Sequence, residues 1–261
     1  MILINKELEL IKKEIATGVE DLLENNDIQT FISNGSKFIR STLAILYLKS
    51  NGAEINDSIY KIIASGEIIH SASLLHDDVI DDASERRGKP TFAHQYSPKI
   101  SILTGDYLLS LAIEKLLDIK NLQILDIFKD CTKTMAKAEI EQFFLRGQLP
   151  TIEKYLEICE GKTANLFSVI LESCAIISNI NTQKAKSLGK LYGLCFQIKN
   201  DFETTSAETD KKNQIYTIKD ILGIEKSGFL LDNYKRELYT SLSEIPDNEY
   251  KKLLEELIAK L

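Results

Sequence analysis

Only 4 prolines and 12 glycines interrupt a chain of 261 residues. Proline removes a backbone donor and clashes inside a helix, and glycine costs backbone entropy there. A chain poor in both can run long helices and lacks the turn residues that a many-stranded sheet consumes. The apolar spacing agrees. Residues 5–24 alternate charged and apolar positions at helical spacing. Asn56-Asp57-Ser58 is a start signal, and Ile59, Ile62, Ile63 and Ile69 follow on one inner face. Gly35 to Ser50 opens with Gly and Ser and then reads as a helix. Gly88, Pro90 and Pro98 make 83–99 a loop. Helices are predicted at 100–117, 121–146, 151–160, 163–178, 183–205, 214–221, 228–242 and 246–260. The 163–178 segment is apolar nearly all round, which predicts a central place. No strand-like alternation occurs. The expectation is an all-α, single-domain bundle of about ten or more helices over 1–261.

Hydrophobic residues make up 44% of the chain, enough for a packed core, and the formal net charge is −7. That balance excludes a broad nucleic-acid surface, which needs clustered excess Lys and Arg. It does not exclude an anionic substrate, because bound cations can supply positive charge locally. Cys131, Cys159, Cys174 and Cys195 form no CxxC pair and match no zinc or haem spacing, so they read as buried thiols in a reducing compartment. The first fifteen residues carry charges throughout and do not read as a signal peptide. No stretch reaches the roughly 20 apolar residues of a membrane span. A cytoplasmic protein is expected, with peripheral membrane contact for product release left open.

The most informative stretch runs from His70 through Asp77-Asp78-Val-Ile-Asp81-Asp82 to Arg86-Arg87-Gly88. On a helix, Asp77 and Asp81 share a face, and Asp78 precedes Asp81 by three. Four carboxylates in six residues repel one another, and the flanking Leu74, Leu75, Val79 and Ile80 imply a packed helix end that sharpens the repulsion. A hard divalent cation with oxygen ligands relieves it. Mg²⁺ typically takes one or two protein carboxylates plus phosphate oxygens. The bland alternative is a solvated acidic helix end. Against it stand two arginines, a glycine, and a histidine two turns earlier on the same face. Carboxylates for metal beside guanidiniums for phosphate make two halves of a diphosphate clamp.

This segment resembles the first aspartate-rich motif of the trans-isoprenyl (polyprenyl) diphosphate synthases, H-x6-DDxxD-x4-RRG, at every fixed position. The resemblance implies the helical fold of isoprenoid synthases around a central cavity. It also implies Mg²⁺ held by Asp77 and Asp81 with Asp78 in support, the allylic diphosphate on Arg86, and isopentenyl diphosphate on Arg87 and His70. Gly35-Ser-Lys37-Phe-Ile-Arg40 resembles the family's G-x-K-x-x-R segment, with Phe38 where Arg is usual and Ser41 where Pro is usual. Lys37 and Arg40, three apart, can project together from a helix start, which suits a diphosphate and by the resemblance makes them substrate-binding; by itself a Lys and Arg three apart is more often solvated surface. Tyr155 followed by Lys162-Thr163-Ala164 resembles Y-x6-KTA, which implies that Lys162 and Thr163 bind the allylic diphosphate. Glu139 and Gln142 stand in the place of the family's E-x-x-Q, and polar core packing explains them equally well.

The main departure lies further on. The family's FQ-x-x-DDxxD here reads Phe196-Gln197-Ile-Lys-Asn200-Asp201-Phe-Glu-Thr204. An amide and a hydroxyl are weaker, uncharged ligands, yet Asn200 remains a candidate for metal and Gln197 for substrate. Asn200, Thr204 and Glu208 also fit the ND-x-x-(S/T)-x-x-x-E pattern of class I terpene cyclases, spaced four apart on one face. Decay of the motif explains the same residues.

The activity the resemblance implies is Mg²⁺-dependent head-to-tail condensation of isopentenyl diphosphate with an allylic diphosphate. Asp77, Asp81 and Lys162 would be its catalytic residues and the enzyme a homodimer. Small residues one turn before Asp77, Ala72 and Ser73, imply a product of C20 or longer. A terpene cyclase and a weakly active or non-catalytic partner subunit are the alternatives.

Overall fold

The computed structural model describes residues 2–20, 22, 25–35, 38–86, 88–203 and 213–261. Their contacts resolve into two compact units, one of Met1–Ile45 with Ile55–Leu125 and one of Leu46–Glu54 with Asp126–Leu261. The all-α expectation is borne out. Among the described residues the only strands are a two-residue antiparallel pair, β1 (Glu85–Arg86) and β2 (Lys89–Pro90), with Arg86 opposite Lys89.

The first unit contains α1 (Asn5–Ala16), α2 (Asn25–Gly35), the opening turns of α3 (Ile39–Ser50), α4 (Asp57–Ile80), the β1–β2 pair, α5 (Phe92–Gln95) and α6 (Pro98–Asp118). α4 is its axis. Asn56 caps α4 as expected, its side chain accepting from the Ile59 N–H at 3.1 Å. Ile59, Ile62, Ile63 and Ile69 are all buried, and each such side chain contributes about 2 kcal/mol by leaving water. α4 packs on α6. Two hydroxyls tie the pair together: Ser65 Oγ donates to the Ala112 carbonyl at 3.3 Å and Ser101 Oγ to the Leu75 carbonyl at 2.9 Å.

The helix predicted for 5–24 stops at Ala16. Gly18 has φ +100°, a conformation that ends a helix, and a Cβ there would run into Leu111. The predicted 83–99 loop also holds more order than expected, namely the β1–β2 pair and α5. Both depend on Thr91, whose hydroxyl donates to the Ala83 carbonyl at 2.7 Å and accepts from the His94 N–H at 3.1 Å.

The second unit contains the end of α3, α7 (Leu122–Phe144) from Asp126, α8 (Ile152–Cys159), α9 (Asn165–Ser178), α10 (Thr182–Glu203), α11 (Ile218–Leu222), α12 (Ile224–Ser241) and α13 (Glu249–Ala259). The break predicted between residues 160 and 163 is absent. Glu160–Ala164 form a π-helical turn that joins α8 to α9, with the Asn165 N–H bonded to the Glu160 carbonyl. α9 is central in this unit, as its apolar circumference predicts, with Leu166, Phe167, Ile170 and Leu171 buried. It packs on α10. A Cβ at Gly189 would lie 2.7 Å from the Phe167 carbonyl oxygen, and one at Gly193 would overlap Ala164. These two glycines, one turn apart, let the backbones meet.

No helix among the described residues is long and apolar enough to cross a membrane.

Candidate functional site

In the first unit, α4 delivers its acidic residues at the C-terminal end. A Schellman-type closure stops the helix there. The Asp82 N–H bonds the Val79 carbonyl at 3.2 Å, and the Ala83 N–H bonds the Asp78 carbonyl at 2.9 Å. Asp82 takes the left-handed conformation, φ 49°, that glycine usually fills. Carboxylates at 77, 78, 81 and 82 therefore gather where the helix macrodipole is already negative.

The three expected metal residues are not equivalent. Asp78 is 1% exposed. Its Oδ1 receives both Nη2 and Nε of Arg86, at 2.7 and 2.8 Å. Burial pushes its carboxyl above the ordinary range, and the Arg86 guanidinium pulls it partly back. Its Oδ2 is buried with no hydrogen-bond partner. Asp77 and Asp81 are half-buried, one turn apart. Among the described residues no three His, Cys, Asp or Glu side chains are grouped so as to hold a metal by themselves. Two half-buried carboxylates at a negative helix end, with an uncompensated buried oxygen beside them, fit Mg²⁺ taken by one or two protein ligands plus phosphate oxygens. Arg86 keeps about a third of its side chain exposed (32%), enough to meet an anion while Asp78 holds it.

Two of the expected substrate-binding residues also sit in this unit. Arg40 is buried in the first turn of α3, and His70 is half-buried on α4. α3 is fixed to α4 through Glu67, whose Oε1 accepts from the Ser41 N–H at 3.1 Å and from Ser41 Oγ at 2.7 Å. A proline at position 41 would supply neither donor. The serine that departs from the family pattern is thus a structural tie one residue from Arg40. His76 went unnoticed in the sequence. Its Nε2 lies 3.3 Å from both Asp106 Oδ1 and the Ile102 carbonyl. Gly105 leaves room for its ring.

In the second unit, the π turn carries Lys162 and Thr163. Gly161 brings this turn close to α7, since a Cβ there would lie 2.9 Å from Ala138 Cβ. Lys162 Nζ then reaches Gln142 Oε1 at 2.6 Å and forms an ion pair with Glu139. Glu139 and Gln142 thus both meet Lys162, a partner that the sequence alone does not name. Thr163 is buried and donates to Gln197 Oε1 at 2.8 Å. Gln197 Nε2 donates to Asp201 Oδ1 at 2.9 Å, and the Tyr155 hydroxyl donates to Asp201 Oδ2 at 2.6 Å. Burial, then the neighbouring Cys159 and Asp201, push the Tyr155 phenol far up, so it remains a donor. Burial likewise pushes the Cys159 thiol up, with Asp201 adding to it. Asn200 is exposed on α10.

The signal for this network was in the sequence. Gly189, Gly193, Gln197 and Asp201 are spaced four apart, so they share one face of α10. The two glycines admit α9, and the two polar residues continue the same face toward Tyr155 and Thr163. Lys37, Arg87, Thr204 and Glu208 lie outside the described residues.

An all-α chain with these two constellations has close counterparts of known structure. Heptaprenyl diphosphate synthase from Staphylococcus aureus superposes with a TM-score of 0.91 at 25% identity, over 98% of this chain and 97% of that one. That likeness defines the class as the all-helical isoprenoid synthase fold. The sequence model of the polyprenyl synthetase family matches residues 22–255, and the chain belongs to that family. Octaprenyl diphosphate synthase of Haemophilus influenzae is 34% identical over 182 residues, 68% of this chain and 55% of that protein. Its Escherichia coli counterpart is 29% identical over 216 residues, 78% of this chain and 67% of that protein. The chain thus aligns with about half to two thirds of the length of these relatives.

Proposed function

We propose that the chain condenses isopentenyl diphosphate head to tail with an allylic diphosphate, giving a polyprenyl diphosphate of C20 or longer. The observation that carries this is the end of α4. Asp77 and Asp81 stand there one turn apart at a helix end that repels them, beside an arginine held by the buried Asp78. Asp77 and Asp81 are the proposed Mg²⁺ ligands. The metal would neutralise charge gathering on the leaving diphosphate.

The chain's own groups do the rest. Asp78 holds the Arg86 guanidinium ready for the allylic diphosphate, so little ordering cost remains at the moment of reaction. Glu139 and Gln142 do the same for Lys162. Arg40, His70 and, from the sequence, Lys37 and Arg87 take the diphosphate of isopentenyl diphosphate. Thr163 and Gln197 serve the allylic side. The allylic C–O bond ionises, the isopentenyl double bond attacks the allylic carbon, and the departing pyrophosphate takes the proton. No nucleophilic side chain is required. Asn200 is assigned a weak, outer metal contact.

Product length follows from α4. Ala72 is fully buried, and Ser73 turns its hydroxyl back to the His70 carbonyl at 2.8 Å. Neither fills space as an aromatic would, and the named octaprenyl relatives accord with a long product. Ser73→Phe is expected to shift the product distribution to shorter chains on a lipid chromatogram; an unchanged distribution removes α4 from length control. A homodimer fits the outer face of α6, where Ile102, Leu103, Ile113 and Leu117 are 43–63% exposed. A cytoplasmic location belongs to the same proposal, with the greasy product handed to a membrane surface.

The test is incubation of the purified chain with Mg²⁺, labelled isopentenyl diphosphate and farnesyl diphosphate, followed by lipid analysis. Longer diphosphates are expected. A hydrocarbon or alcohol formed without isopentenyl diphosphate assigns a cyclase instead. Turnover only on adding another subunit assigns a partner role.

A further inference from the structure

Asp201 is the one aspartate left of the eroded second motif's Asp positions, and its carboxylate is occupied within the protein. One oxygen holds Tyr155 on α8, before the π turn; the other holds Gln197, which holds Thr163 inside the turn. The π turn is therefore gripped from both flanks by a single side chain on α10. An ionised carboxylate can only accept, so it fixes which end of the Gln197 amide faces Thr163. We propose that Asp201 is a positioning residue for the Lys162–Thr163 turn, and that in this chain the second motif orders the allylic diphosphate through hydrogen bonds. The segment that resembles the family's second aspartate-rich motif thus takes a role of a different kind from the first.

This deepens the reading that Lys162 and Thr163 bind the allylic diphosphate, and it rests on that reading. Three features make it specific. The bonds run through short, well-formed distances of 2.6–2.9 Å. Gly189 and Gly193 bring α10 against α9 and the π turn, so the network has a rigid frame. Tyr155 is buried, so removing Asp201 would leave its hydroxyl only the weak partner Cys159.

The experiment is a double-mutant cycle on steady-state kinetics with Asp201→Ala, Thr163→Val and the pair. Asp201→Ala should raise KM for the allylic diphosphate roughly tenfold and leave KM for isopentenyl diphosphate within about twofold. In the Thr163→Val background the same change should add less than about twofold, because contacts in one network are not additive. Asp201→Asn, which retains an acceptor for Tyr155 but turns an NH2 group to Gln197, should recover only part of the loss and keeps the test open if the alanine variant folds poorly. The Mg²⁺ concentration for half-maximal rate should stay put. Multiplicative effects, equal changes in both KM values, or a large rise in the Mg²⁺ requirement would each overturn the proposal, the last by making Asp201 a metal ligand. If the unaltered protein elongates nothing, the proposed function fails. The same cycle is then read by calorimetry as affinity for Mg²⁺ with inorganic pyrophosphate, where coupling of the two variants sustains the positioning role and additivity ends it.

Discussion

The end of α4 and the end of α10 each resemble an aspartate-rich motif of one family, and they solve opposite problems. At α4, four carboxylates crowd a negative helix end and one is buried against an arginine. At α10, a single aspartate survives with its charge spread over a tyrosine and a glutamine. The first arrangement concentrates acidic side chains at a negative helix end, which favours a cation. The second is close to self-sufficient. Asn200 and Thr204 in place of aspartates leave the α10 network intact, whereas removing Asp78 at α4 would leave Arg86 without its anchor.

Substitutions can break this contrast. The largest effect is expected from Asp77→Ala or Asp81→Ala. Removing a charge-stabilising contact that matters in the transition state should cut kcat about a thousandfold with melting temperature unchanged or raised, since repulsion is relieved. A loss under tenfold would put the metal elsewhere. Lys162→Ala comes next: roughly fiftyfold in kcat/KM for the allylic substrate, the size expected for one charge-assisted contact. An effect confined to isopentenyl diphosphate would reassign the π turn to the other substrate. The smallest is Asn200→Asp with Thr204→Asp, which restores the acidic pattern. Activity at limiting Mg²⁺ should rise a few-fold while the saturated rate barely moves, as uniform rather than transition-state binding would be gained. A saturated rate that climbs as well would mean that the second metal position limits this protein.

Much of the fold was legible because helix periodicity and caps are local. Asn56 and the isoleucines of α4 could be read directly. The acidic cluster was legible for the same reason, since its residues lie within one turn of each other. What escaped depends on residues distant in the chain. Asp78 resembles its two neighbours in sequence; only its burial against Arg86 separates it from them. The tie between Ser41 and Glu67 spans 26 residues, and nothing local announces it. Asp201 carried no assigned role because its partners, Tyr155 and, through Gln197, Thr163, lie far from it in the chain. The early stop of α1 reflects Gly18 meeting Leu111, a tertiary constraint that overrides an amphipathic pattern.

The π turn at Glu160–Ala164 carries a lesson about chain length. A wider turn holds one residue more than the α-helix would, so α8 and α9 run out of phase across it. Deleting the extra residue would close the turn to a regular α-helix and remove the widened backbone that seats Lys162 and Thr163, whereas inserting a further one would swing everything downstream by about 100° around the helix axis, carrying Phe167 and its neighbours off the surface they cover on α10. Side-chain changes in this stretch can be graded, but insertions and deletions cannot. The spacing between Tyr155 and Thr163 is thus as much a part of the chemistry as the residues themselves.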